Sequence, residues 1–385
     1  MIKSFKLASS SLLVLIGSGS SFLVKRPLSL ARNYSFNMST SYKRAKLDDT
    51  IVSDKVIGTH SGTFQADEAM GVWMLRQTQS YRNSKVIRSR DLAVLDPLDI
   101  VIDVGGVYDH SKLRYDHHQR GYDERFAPKK GSESPRCTKL SASGLVYRHY
   151  GKDVIKAYYP TLSDDHLELA YTKIYDSLLE ALDAIDCGVE QVSDDVEVAW
   201  TDTTGLSSRV SRLNPRWNEV DADGNSPDPD ARFEIASQMC GEDFCSVMTR
   251  VIESDIPARD FVKQAVEARQ ETDASGEIIK FVSGGLPWKN HLYDLEKELN
   301  IEPLIKFVLY TDQAGMWRVQ AVTVEGKAFE NRLSLPEEWR GVRDQDLEAV
   351  TKIPGSKFVH AAGFIGGAAT YEGALEMAKV ALSRK

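Results

Sequence analysis

The run Asp99-Ile100-Val101-Ile102-Asp103-Val104-Gly105-Gly106 is the strongest strand-plus-turn signal in the chain. A β-branched run ending in a carboxylate and two glycines reads as a buried strand whose C-terminal end opens on a turn. Open α/β sheets bind ligands at that end, so Asp103 is a candidate ligand, and the glycines let a ligand or a neighbouring backbone come close. A turn-forming Asp at a strand end is as common, and Asp103 alone does not separate the two readings.

Outward from this run the chain alternates in an α/β manner. Val56-Ile57-Gly58-Thr59-His60 reads as a short buried strand, Ala66–Gln77 as a helix and Lys85–Arg88 as a second strand. Downstream, helices are predicted over Ser141–Tyr150, Asp164–Ile185, Ala231–Ile252 and Pro257–Glu271, with Asn214–Asp230 a polar, proline-bearing loop. In the last third Ile305–Thr311 and Trp317–Val324 read as strands paired across Asp312-Gln313-Ala314-Gly315. Lys357–His360, a Gly-rich loop and an amphipathic helix near Tyr371–Leu382 follow.

With 385 residues, 42% hydrophobic and 27% charged, the composition suits sizeable cores and more than one folded part. No apolar run reaches the length of a membrane span, so no membrane partner is expected. Cys137, Cys187, Cys240 and Cys245 form no CxxC pair, which argues against a structural zinc site or a disulfide framework and for a reduced compartment. The net charge of −8 is uneven: residues 1–47 hold eight Lys and Arg and no acid, leaving −16 on the rest. So acidic a body argues against a broad basic nucleic-acid saddle, but not against a narrow site whose cations are metals.

The basic, Ser-rich, acid-free start has the composition of a mitochondrial presequence, and Arg32-Asn33-Tyr34-Ser35 places cleavage after Tyr34. A secretory signal is the rival, but its apolar core, Leu12 to Ile16, is short and diluted by serine. Lys43-Arg44-Ala45-Lys46 looks like a nuclear-import patch, against the plainer reading of a solvated linker. Initiation at Met38 would drop the presequence and leave that patch near a new terminus. The expected addresses are therefore the mitochondrial matrix and the nucleus, with the cytoplasm open.

Four segments gather acid and imidazole groups. His60 ends a strand, while Asp67 and Glu68 open a helix, where acids also simply complement the helix dipole. Asp103 is the second. The third is Tyr115-Asp116-His117-His118, too polar for core packing. Adjacent side chains on an extended segment point to opposite sides, so one imidazole can bind metal while the other faces substrate and the carboxylate orients a ring. The fourth is Asp183 with Asp186, three apart near a helix C-terminus, where carboxylates are unfavourable and a cation would relieve the conflict. Carboxylates and imidazoles without thiolate suit Mn²⁺ or Mg²⁺. A pair of such ions activates water and clamps the charge developing on a phosphodiester.

In this order the motifs resemble the DHH phosphoesterase superfamily. GTHSGTFQADEA, IVIDVGGVYDHSKLRYDHHQR, TKLSASGLVY, LDAIDCG, LSSRVSRLNPRWN, YTDQAGMWRVQ and HAAGFIGG together resemble its melanocyte-proliferating-gene family, described as 3′–5′ RNA exonucleases of mitochondria and nucleus. The resemblance implies an α/β fold: a disordered leader at 1–47, a DHH-type parallel-sheet catalytic domain at 48–230, a helical connector at 231–275 and a smaller α/β DHH-associated substrate domain at 276–385. It implies two Mn²⁺ or Mg²⁺ ions held by His60, Asp67, Asp103, His117 and Asp186, with Asp103 between them. Asp116 would orient His117, and His118 would meet the phosphate or assist the leaving oxygen. Gln65 stands where animal members carry His, and the usual Asp-x-Asp of the first motif is incomplete. His360, Gly363, Gly366 and Gly367 would hold a nucleotide phosphate, with Arg318, Arg332 and Arg340 as further candidates. Arg120, with Arg125, Lys129, Lys130 and Arg136, would feed single-stranded RNA toward the metals. The alternatives are a small-molecule or cyclic-dinucleotide phosphodiesterase and a catalytically silent RNA-binding protein. The oligomeric state stays open.

Overall fold

A computed structural model describes Ala45 and residues 50–384, apart from 130, 194, 221–222 and 282–283. The presequence, its cleavage site, Met38 and the basic patch (save Ala45) lie outside the described residues. Lys130 lies outside them too.

Strands β1 (Val56–Thr59), β2 (Lys85–Arg88), β3 (Ile100–Ile102), β4 (Tyr108–Asp109) and β5 (Arg114–Tyr115) form one sheet, in the order β2-β1-β3-β5-β4. All neighbours are parallel except β4 and β5. Every residue of β3 is buried, as its unbroken apolar run requires of a central parallel strand. Helix α1 (Ala66–Gln77) is buried from Ala66 to Leu75. It packs against α2 (Ala142–Tyr158) and, after α3 (Asp164–Ile174), α4 (Glu180–Asp186) and α5 (Leu206–Ser211), against α6 (Pro229–Arg250). A helix enclosed on all sides holds its charged first turn, Asp67 and Glu68, inside the protein as well.

A second sheet follows helix α7 (Ile256–Glu267). It contains β6 (Ile278–Lys280), β7 (Phe307–Thr311), β8 (Trp317–Ala321), β9 (Ser356–Val359) and β10 (Ile365–Ala368), in the order β6-β7-β8-β10-β9. Only β6 and β7 are parallel. Its two faces bury two cores. Val308 faces the core shared with α7 and α8 (Lys289–Glu298), while Phe307 and Leu309 face the one shared with α9 (Tyr371–Ser383). This is the period of two expected of a strand covered on both sides.

Several boundaries differ from the expectation. α2 runs on to Tyr158 because the interior Gly151, a candidate stop, lies inside a helix anchored by packing rather than propensity. The helix beginning at Asp164 passes through one π turn at Tyr175–Leu179, and that beginning at Pro229 through another at Val251–Asp255. The Gly-rich stretch after His360 is a strand, β10. No described helix is long and apolar enough to cross a membrane.

Candidate metal centre

β1, β3 and β5 are neighbours and parallel, so their carboxyl ends share one sheet edge. His60, Asp103 and the pair Asp116 and His117 are the residues that leave those ends. The first turn of α1 adds Asp67 and Glu68, and the end of α4 adds Asp186. Asp103 has φ +58°, a left-handed conformation that Asp tolerates better than most residues, and it turns the chain sharply off the buried strand.

His60 Nε2 lies 3.1 Å from Glu68 Oε1 and 3.3 Å from Asp103 Oδ2. His117 Nε2 lies 2.9 Å from Asp186 Oδ2, and its Nδ1 is 3.7 Å from Asp103 Oδ1. Among the described residues, ligand atoms close enough to share an ion occur in three groups: His60, Glu68 and Asp103; Asp103, Asp116, His117 and His118; and His117, Asp186 and Cys187. Asp103 belongs to two of them. Asp67 lies outside all three, but it is buried and lines the same cleft.

Electrostatics sharpen the picture. Burial, then the charges of Asp103, Glu68 and Asp186, push the Asp67 carboxyl well above the usual carboxylate range. Burial also raises Asp103, with the His60 hydrogen bond opposing it. Burial works to lower His60, but its bonds to Asp103 and Glu68 win and take it up to about 10. His117 is likewise raised, Asp186 outweighing burial. Burial and crowding disfavour the charged forms of Asp67 and Asp103, and a divalent cation would relieve both.

The donor set fits one. Both oxygens of Asp67, Glu68 Oε2, Asp103 Oδ1 and His117 Nδ1 are buried without a hydrogen-bond partner. Orphaned polar atoms are costly, and coordination would satisfy them. They are oxygen and imidazole donors, the chemistry of Mn²⁺ or Mg²⁺. Cys187 stays a thiol: burial, then Asp186 and Asp183, push it up to about 12, and it leans toward Lys139 O at 3.6 Å.

Three expectations need correction. Asp116 orients His118, not His117: its Oδ1 lies 2.8 Å from His118 Nδ1 and accepts from His118 N at 3.0 Å, while its Oδ2 accepts from Gly106 N. Burial works to raise Asp116, but these donors outweigh it and hold the carboxyl below its usual range. His117 is instead aimed at Asp186, from the other side of the segment.

Second, the 360–367 hairpin gives its amides to itself. Gly363 N bonds His360 O at 2.8 Å, and His360 Nδ1 accepts from Ala362 N. Gly366 and Gly367 lie in β10 between β8 and β9, so their amides face ladder partners. Gly367 is needed for close packing, because a Cβ there would lie 2.6 Å from both Arg318 and Phe358. Among the described residues, none after 276 lines the cleft.

Third, most expected phosphate cations are engaged within the protein. Arg136 is buried against Asp176 and Glu180, Lys129 meets Glu180, and Arg125 meets Asp123. Arg318 pairs with Asp312, Arg332 with Glu296, and Arg340 bonds Leu335 O. Arg120 is exposed.

Asp183 and Asp186 now divide. Asp183 is fully buried and accepts from Ser141 N (3.0 Å), Ser141 Oγ (2.8 Å) and Tyr175 Oη (2.7 Å), tying α4 to the start of α2. That contact leaves Asp186, three residues on, to face His117. Glu68, fully buried and grouped with His60 and Asp103, is the candidate ligand that the sequence reads only as a helix-dipole acid. Its neighbour Asp67 was the available signal, since two acids opening a helix beside a strand-end His exceed what a dipole needs.

A family model described as MYG1_exonuc, an uncharacterised protein family (UPF0160), matches residues 56–382. The MYG1 exonuclease of Rattus norvegicus is 46% identical over 330 residues, 86% of this chain and 85% of that one. The MYG1 exonuclease of Homo sapiens is 44% identical over 86% of both chains. A MYG1 protein of Saccharomyces cerevisiae is 41% identical over 89% of this chain and 99% of its own. The crystal structure of RecJ in complex with Mn²⁺ from Thermus thermophilus aligns at a TM-score of 0.22 and 13% identity, over 86% of this chain and 52% of that one. On the family model and these relatives, the chain belongs to the MYG1 exonuclease family.

Proposed function

We propose that the protein is a metal-dependent 3′–5′ exoribonuclease acting on single-stranded RNA. The carrying observation is the ring of buried, unpartnered carboxylate oxygens at the carboxyl edge of the parallel sheet. The names of its relatives support the nuclease class. His60, Glu68, Asp103, His117 and Asp186 would hold the cation, with Asp67 beside them. When bound, one or two Mn²⁺ or Mg²⁺ ions would activate water and neutralise charge on the scissile phosphate.

The chain's own groups do the rest. The Asp116 carboxylate, kept charged by three donors, fixes the His118 ring through Nδ1. The ring is 59% exposed and lines the cleft, so Nε2 is free to bond the phosphate or give a proton to the leaving oxygen. Mitochondria and nucleus remain the proposed addresses, on the composition of the leader.

The test is end-labelled single-stranded RNA with Mn²⁺, beside Asp103→Asn and His117→Ala. A ladder shortening from the 3′ end, lost in both variants, is expected. Cleavage of dinucleotides alone, or full activity in both variants, would refute the reading.

A further inference from the structure

An acidic centre repels the polyanion it must cut, so some wall of the cleft has to hold the strand. With Arg125, Lys129 and Arg136 paired internally, the arginines among the described residues that line the cleft are Arg90 and Arg212. Arg90 is committed to Ser61 O and the His60 ring. Arg212 follows α5, whose Ser207, Ser208 and Ser211 also line the cleft, and one of its nitrogens bonds Thr203 O at 2.8 Å. The guanidinium keeps further donors.

Five residues on stands Trp217, 97% exposed. A tryptophan this exposed does nothing for the core. Yet its turn is fixed at both ends. Asn214 clamps Phe64, a cleft residue, in both directions, at 2.9 and 2.8 Å. Glu219 accepts from Arg216 N at 3.2 Å and from Arg232 at 2.7 Å. Three residues reach at most about 11 Å, so the Trp217 backbone stays near the cleft wall. A solvent-facing indole on a pinned turn, five residues after a cleft arginine, supplies the two groups that bind single strands: a ring for the base and a fork for the phosphate.

We propose that Trp217 and Arg212 form the strand-holding wall of the cleft, Trp217 stacking on a base and Arg212 pairing with a phosphate of the same strand. Both are positioning residues that present the neighbouring phosphodiester to the acidic centre. The inference rests on the nuclease reading and adds which face carries the substrate. Because every base has a π face, this wall accepts any sequence.

The experiment compares Trp217→Ala, Trp217→Phe and Arg212→Gln on a single-stranded oligoribonucleotide and on an abasic strand of equal length. Turnover is followed in the otherwise native protein, and binding by fluorescence anisotropy in an Asp103→Asn background. Trp217→Ala should raise KM and Kd roughly 5- to 100-fold on the normal strand with kcat nearly kept, and add no further loss on the abasic one. Trp217→Phe should restore most of the affinity. Arg212→Gln should weaken both strands and flatten the salt dependence. Cutting that is indifferent to Trp217, or equal losses on both strands, overturns the wall. Binding through Trp217 without any cutting keeps the wall and refutes the nuclease reading. Absence of both binding and cutting overturns both.

Discussion

Asp67→Asn separates ligand from scaffold because its two consequences fall under different conditions. Burial first, then the neighbouring carboxylates, push the Asp67 carboxyl well above the usual range and both oxygens are unpartnered, so without a cation its neutral form is favoured. Asparagine then resembles the group it replaces, and in EDTA the melting temperature should move by no more than about 2 °C. With Mn²⁺ at 100 times Kd, the native protein gains about 2.7 kcal/mol. A variant binding roughly 100-fold more weakly gains about 0.4 kcal/mol at the same concentration. At about 2 °C per kcal/mol for a chain of this size, the Mn²⁺-induced shift should shrink by roughly 5 °C. Differential scanning fluorimetry across a Mn²⁺ series, with EDTA and Mg²⁺ controls, reads both quantities. An undiminished Mn²⁺ shift would refute Asp67 as part of the centre, and a collapse in EDTA would show that it is a structural group.

Asp183→Ala should destabilise by about 3 kcal/mol or more, because it strands buried donors of Ser141 and Tyr175; urea unfolding measures it, and a loss under about 1 kcal/mol would contradict the assignment. His118→Ala should lower kcat by roughly 100-fold or more with Mn²⁺ affinity kept, and Asp116→Asn should follow it through the freed ring; metal titration beside single-turnover rates decides, and lost metal binding in either variant would count against these roles. His149 titrates low, at about 4, through burial first and then the charges of His110 and Arg148. Its folded value lies below the ordinary 6.5, so the unfolded chain binds more protons between them. The contribution of His149 to stability is full above about pH 6.5 and falls toward pH 4. His149→Gln should flatten that slope in chemical denaturation, and an unchanged slope would assign it elsewhere.

Much of the first sheet and its helices was legible because their signals are local. A β-branched run such as Ile100–Ile102 reads as a strand from any direction, and α1 carries its acids at its start. What escaped depended on distance. Two-residue strands such as Tyr108–Asp109 have no period to detect; they exist because Arg114–Tyr115 is beside them. β10 reads as a Gly-rich loop until β8 and β9 pair with it. Asp116 was placed with the wrong histidine because an extended segment fixes sides, not partners; the turn that brings Gly106 N and His118 N onto its carboxylate made the choice. The basic stretch looked free because Asp176 and Glu180, which neutralise Arg136, come from a helix many residues away.

The Asp183 carboxylate sits where a side chain of residue 144 would be: a Cβ on Gly144 would lie 2.4 Å from it. The two positions are therefore one evolutionary character written in two places. A larger residue at 144 demands a shorter one at 183, and a side chain at 144 alone would push against α4, which carries Asp186. Drift in this family should be slow at both sites and, where it happens, paired, although neither residue touches the substrate.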